Sequence, residues 1–122
     1  MCHYLLPGRS EGEAETPDGR YGEEAMRLLE RAMREAGTRP AEYQAKIFGG
    51  GRMFSGRRGP TDVLDIGSRN IDAARRLLHQ HGLATASEHL AGVGHRSIIF
   101  DIASGDVWVR HMSGQMPRRD VA

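Results

Sequence analysis

Two amphipathic stripes, each stopped by a glycine, constrain this 122-residue chain most. In residues 21–36, Ala25, Leu28, Leu29, Ala32 and Ala36 recur at i, i+3, i+4 and i+7 spacing, which marks a helix with one buried face. Glu23 and Glu24 suit the positive end of its dipole, and Gly37 stands where a helix-ending glycine belongs. Met26 and Met33 flank the stripe and read as core fillers. A second inner face, Ile71, Ala74, Leu77 and Leu78, follows Ile66-Gly67-Ser68-Arg69-Asn70 and ends at Gly82. Ser68 or Asn70 is its expected cap.

Strand-like runs surround these helices. Residues 1–7 form a β-like run closed by Pro7-Gly8, so the chain opens in mid-strand. Residues 9–20 read as a loop with Pro17-Asp18-Gly19 as its turn. Residues 43–48 alternate as a second strand and run straight into Gly49-Gly50-Gly51, followed by a loop over residues 52–60. Residues 83–87, residues 96–101 and Val107-Trp108-Val109 give three more strands, the last two joined by a Ser104-Gly105-Asp106 hairpin turn. The order β-α-β-α-β-β-β is an α/β mixture with an antiparallel finish. Residues 1–112 form one domain, and the polar residues 113–122 read as a frayed tail.

Composition excludes several classes. The 17 basic and 16 acidic residues nearly cancel, which argues against a disordered polyelectrolyte and against a nucleic-acid module. No apolar run approaches the roughly 18 residues of a membrane span, and no leader peptide opens the chain. Cys2 is the one cysteine, which fits a reducing, cytoplasmic setting. Lys46 is the single lysine among the basic residues, a bias best read as one of coding.

The residues that could carry chemistry are few. His3 beside Cys2 suggests a thiol with a base, yet successive strand side chains point to opposite faces, and Cys2 reads as an inert thiol. Phe48-Gly49-Gly50 is a second candidate, because a strand ending in glycines can cradle an anion with its amides. It lacks the ending of a phosphate loop, and tight backbone packing is the alternative. His79 and His81 lie on different sides of a helix, and His89, His95 and His111 show no ligand spacing, so no metal site is expected. Arg57-Arg58 and Arg118-Arg119 read as solvated charge.

Together these motifs carry a resemblance. His3-Tyr4-Leu5-Leu6-Pro7 resembles the "H-x-x-L-P" strand of the chemoreceptor glutamine deamidase CheD family. Tyr21-Gly22-Glu23-Glu24-Ala25-Met26 is similar to its "Y-G-x-x-A-M", and Lys46-Ile47-Phe48-Gly49-Gly50 to its "K-x-F-G-G". Ile66-Gly67-Ser68-Arg69-Asn70 resembles "I-G-x-x-N", and Ala91-Gly92-Val93-Gly94-His95-Arg96 resembles "G-G-x-x-G-R" with Ala91 in place of the first glycine. Ala tolerates positive φ poorly, so that turn is expected to differ.

The resemblance implies a layered α/β/β sandwich with mixed sheets, here without its first strands. It implies hydrolysis of glutamine side-chain amides on methyl-accepting chemotaxis receptors, with no metal or organic cofactor, no nucleic acid and no membrane insertion. CheC, a phosphatase of the same pathway, is an implied partner. His3 falls on the family's catalytic histidine. The family's nucleophilic cysteine belongs to an earlier "G-S-C" turn that these residues do not include, so the chain as written is expected to lack amidase activity and to expose an edge at residues 3–6. The alternative is a non-catalytic module that binds receptors or CheC around Phe48, Gly49, Gly50 and the second helix. A further reading, in which loss of Met1 leaves Cys2 as an N-terminal nucleophile, finds no support in the motifs.

Overall fold

The computed structural model describes residues 1–12, 14–52, 65–112 and 118–121. Its elements are α1 (Gly22–Glu35), a single 3-10 turn (Pro40–Glu42), β1 (Gln44–Gly49), α2 (Ile66–Gln80), β2 (Ala84–Leu90), β3 (His95–Phe100), β4 (Val107–Met112) and β5 (Arg118–Val121). β1 and β2 pair in parallel, while β3, β4 and β5 form an antiparallel sheet in that order. Among the described residues the architecture is mixed α/β, with two helices and two small sheets; the α/β class and both helices are as the sequence indicates. A parallel pair needs a return path along its own length, and α2 supplies it between β1 and β2.

The core forms where the helices meet this parallel pair. Met26, Leu77 and Leu78 are buried together, with Leu29, Ala45, Ile47 and Leu83 packed around them. α2 buries Ile71, Ala74, Leu77 and Leu78, as expected. α1 buries Gly22, Ala25, Met26 and Met33, whereas Leu28, Ala32 and Ala36 are exposed. Its inner face is thus turned from the expected stripe. The long methionine side chains reach the other elements, and alanines on the neighbouring face do not.

Both helices end alike. Gly37 and Gly82 each adopt φ 71, and the amides of Thr38 and Leu83 donate to Met33 O and Leu78 O at 3.0 and 2.9 Å. These are Schellman closures, which need a residue tolerant of the left-handed conformation. The starts differ. Asp65, not Ser68 or Asn70, caps α2, and its carboxylate accepts from the Ser68 amide at 3.2 Å.

α1 has no side-chain cap at Tyr21. Instead the amides of Gly22 and Glu23 donate to Leu6 O and Pro7 O at 2.8 and 3.0 Å. That interaction corrects the expected first strand. Residues 1–7 make only an isolated bridge, Leu6 with Tyr21, because their carbonyls satisfy the free amides of a helix start and not a neighbouring strand. The expected edge at residues 3–6 is therefore not a strand edge.

In the antiparallel sheet Val107 and Val109 are buried and Trp108 between them is 42% exposed, the alternation expected of a strand with one covered face. Ile99 pairs opposite Trp108 and is 70% exposed. Arg118–Val121 pairs with β4, where the polar composition suggested a frayed tail. Arg57 and Arg58 lie outside the described residues. Among the described residues no helix is long and apolar enough to cross a membrane.

Candidate functional site

His3 is exposed and sits in a segment gripped from two sides. On one side lies the start of α1. A Cβ at Gly22 would come within 3.0 Å of Pro7 O and 3.3 Å of the Tyr4 ring, so only glycine lets the segment close on the helix. On the other side lies α2. The Tyr4 hydroxyl donates to the Asn70 carbonyl, and Asn70 Nδ2 donates to Leu5 O at 2.9 Å. Residues 4 and 5, directly after His3, are thus bracketed by one residue of α2.

The loop behind the segment is held by charge. Buried Glu24 accepts from Arg9 Nε at 2.5 Å and from the Asp18 amide at 2.6 Å. The Arg9 guanidinium also lies 4.6 Å from the centre of the Tyr21 ring. Bonding to Arg9, then to the Asp18 amide, holds the Glu24 carboxyl below its ordinary value. Bonds from Arg20 bring Asp18 down to about 2.

Phe48, Gly49 and Gly50 lie at the end of β1, where the backbone meets the first turn of α2. Gly50 has φ 65, and a Cβ there would stand 2.4 Å from the Ile71 side chain. A Cβ on Gly67 would come within 2.6 Å of Gly50 O. Beyond this joint the chain pairs with the residues that follow β2. The Ala91 amide donates to Gly49 O at 2.9 Å, the Arg52 amide to Gly92 O at 2.8 Å, and the Gly94 amide to Arg52 O at 2.7 Å. The glycines therefore serve close backbone packing here.

Ala91 adopts φ 59, the left-handed conformation that glycine takes without steric cost. Arg96 holds that turn. Its Nη2 donates to Ala91 O at 2.5 Å, its Nη1 to Gly49 O at 3.5 Å and its Nε to His89 Nδ1 at 2.8 Å. Burial lowers the pKa of this guanidinium. The His89 ring meets His111 edge-on at 5.7 Å, and His111 Nε2 lies 2.9 Å from Val93 O. Near the C-terminal end of α2, His81 Nδ1 is 2.9 Å from Glu30 Oε1 and ties the helix to α1.

Contacts join all five sequence motifs in one series. Leu6 meets Gly22, Leu5 meets Asn70, Gly67 meets Gly50, and Gly49 meets Ala91 and Arg96. His3 and Phe48-Gly49-Gly50 thereby come to the same end of α2. Cys2 is exposed, and among the described residues no hydrogen bond joins it to His3. Crowding around the sulfur raises the Cys2 pKa, against the pull of the amino terminus, so the thiol stays protonated near neutrality.

Asn70 and Arg96 were not singled out as site residues by the sequence. Asn70 is a common capping residue, and its partner stands 65 positions away. Arg96 lies in a quoted motif, but only the register of β2 with β1 brings His89 opposite Phe48 and beside Gly49.

The family model for CheD chemotactic sensory transduction matches residues 5–111. A probable chemoreceptor glutamine deamidase CheD of Pseudomonas savastanoi pv. phaseolicola is 43% identical over 120 residues, covering 98% of this chain and 67% of that protein. A similarly named protein of Albidiferax ferrireducens is 46% identical over 109 residues, 88% of this chain and 62% of its own. One from Maridesulfovibrio salexigens is 37% identical over 122 residues, 95% of this chain and 71% of its own. The chain belongs to the CheD family, and it spans about two thirds of the length of the curated relatives it matches.

Proposed function

We propose that this chain carries the histidine half of a chemoreceptor glutamine deamidase. The observation that carries the reading is the meeting of His3's segment and the Phe48-Gly49-Gly50 joint at the first turn of α2. Family membership and the names of the relatives support it. A cysteine thiolate attacks the side-chain amide carbon of a receptor glutamine. His3 takes the thiol proton and returns it to the departing nitrogen, which leaves as ammonia. Water, deprotonated by the same imidazole, then attacks the thioester, frees the thiolate and leaves glutamate. The receptor segment lies along Phe48, Gly49 and Gly50.

Cys2 does not supply the thiolate in this reading. It is a protonated, exposed thiol with no bond to the imidazole. The 122 residues by themselves therefore hydrolyse no amide. That same observation favours a second reading, a module that docks on receptors or on CheC without chemistry.

The test uses a receptor cytoplasmic fragment, with glutamine-to-glutamate conversion read by mass spectrometry. The product of the chain's own gene in its own cell is expected to convert it, and a His3→Ala exchange in that gene to lower the rate about a thousandfold or more. The 122-residue chain alone is expected to give no conversion. Conversion by this chain at an ordinary enzymatic rate overturns the assignment of the thiolate. Full conversion after His3→Ala overturns the assignment of the base.

A further inference from the structure

We propose that Asn70 is a positioning residue for His3, setting where its imidazole stands. The inference deepens the reading above and rests on His3 being the base.

Three observations carry it. First, Asn70 brackets the residues next to His3, receiving the Tyr4 hydroxyl on its backbone carbonyl and donating Nδ2 to Leu5 O at 2.9 Å. Second, it caps nothing, since Asp65 performs that role for α2. Asparagine in a helix interior is a weak helix former, so helix propensity does not account for it. Third, its Oδ1 is buried with no hydrogen-bond partner. A sealed, unsatisfied acceptor costs stability. The side chain cannot turn over to relieve it, because Leu5 O needs a donor and Oδ1 offers none. An apolar residue would avoid that penalty, whereas the grip on Leu5 needs the amide.

The joint at the other side of the turn gives this grip its reference point. Gly67 packs on Gly50, so Asn70 fixes the His3 segment relative to Phe48-Gly49-Gly50. Asn70 acts through the backbone carbonyl of Leu5 and the side-chain hydroxyl of Tyr4. Loss of its amide therefore frees the segment without unfolding α2, whose buried face is Ile71, Ala73, Ala74, Leu77 and Leu78.

Asn70→Asp keeps the shape and removes the donor. We expect the amides of Leu5 and Leu6, which donate to Arg20 O at 2.8 and 3.1 Å, to exchange with deuterium about 5- to 10-fold faster. The His3 ring resonances should move toward those of an unstructured peptide, while the Leu77 and Leu78 amides keep their protection. Asn70→Ala removes the same donor together with the unsatisfied oxygen and should move the same signals in the same direction, so the proposal stays testable if the Asp variant fails to fold. Unchanged His3 resonances and unchanged Leu5 exchange in a folded Asn70→Asp protein overturn the proposal. So does a uniform loss of protection across α2. None of these signals requires amide hydrolysis, so failure of the deamidase reading shows up separately, in the receptor conversion assay.

Discussion

The segment that bears His3 and the parallel pair beside it are held by opposite kinds of force. One side of the pair β1–β2 packs on the helices, where Ala45 and Ile47 lie against Met26, Leu77 and Leu78. The described residues among 1–21 contribute no buried apolar side chain to the core. They are fixed by Asn70 on Leu5, by Leu6 and Pro7 on the start of α1, and by Arg9 on Glu24. Apolar burial is non-directional and tolerates small shifts, whereas a hydrogen bond sets a distance and an angle. A base that must meet a thiolate, the role proposed for His3, needs placement more than it needs burial, and this segment is held by the force that gives placement. The consequence is a lower local stability, since few buried contacts resist opening there.

The largest expected effect breaks the apolar side. Leu77→Ala removes a buried side chain from the centre of the cluster, and should cost about 2–5 kcal/mol in urea unfolding. Protection at Leu5 and Leu6 should fall with it, because both anchoring helices depend on that core. If those amides keep their protection while α2 loses its own, the two regions are not arranged as foundation and attachment.

A smaller effect strikes the joint between them. Gly50→Ala places a Cβ 2.4 Å from Ile71 in a residue at φ 65. Overpacking and left-handed backbone together should cost about 2–4 kcal/mol. Ile71→Val shortens the side chain it meets and should recover part of the loss in the double variant. Additive effects in that pair would mean that backbone strain alone makes the glycine necessary.

How much of this is legible in the sequence follows the same division. The apolar side is read well, since the stripe of α2 and the ends at Gly37 and Gly82 depend on local periodicity and local backbone conformation. The stripe of α1 is misread by one helical position, because alanines carry the pattern while the methionines carry the burial. The polar side is read poorly. Nothing near Leu6 or Pro7 announces that their carbonyls serve a helix start 16 residues away. Asp65 was a readable cap, an aspartate directly before the apolar face with Ser68 three positions on, and Ser68 and Asn70 only obscured it. His3 and Phe48-Gly49-Gly50 stand out by local chemistry, the role of His3 comes from resemblance alone, and their meeting at α2 is a tertiary fact that no local pattern contains.

The smallest effect sharpens the comparison through pH. Glu24 is ionised in the folded chain at pH values where a free glutamate begins to take a proton, because Arg9 and the Asp18 amide bond its carboxylate. A carboxyl held low in the folded state adds stability above its ordinary value of 4.5, and that stability disappears as pH falls through the lower, folded value. Asp18, at about 2 against an ordinary 3.8, extends the loss to still lower pH. Among the described residues no buried charged group other than Glu24 lies in the core, so acid should loosen the loop before it touches Met26, Leu77 and Leu78. Glu24→Gln retains an acceptor for Arg9 and removes the charge. The difference in thermal midpoint between parent and variant should be full at pH 6 and should close as the pH drops below 4.5. A difference that widens in acid has the wrong sign for an ion pair, and would assign the hold on the loop to packing around Glu24 and not to its charge.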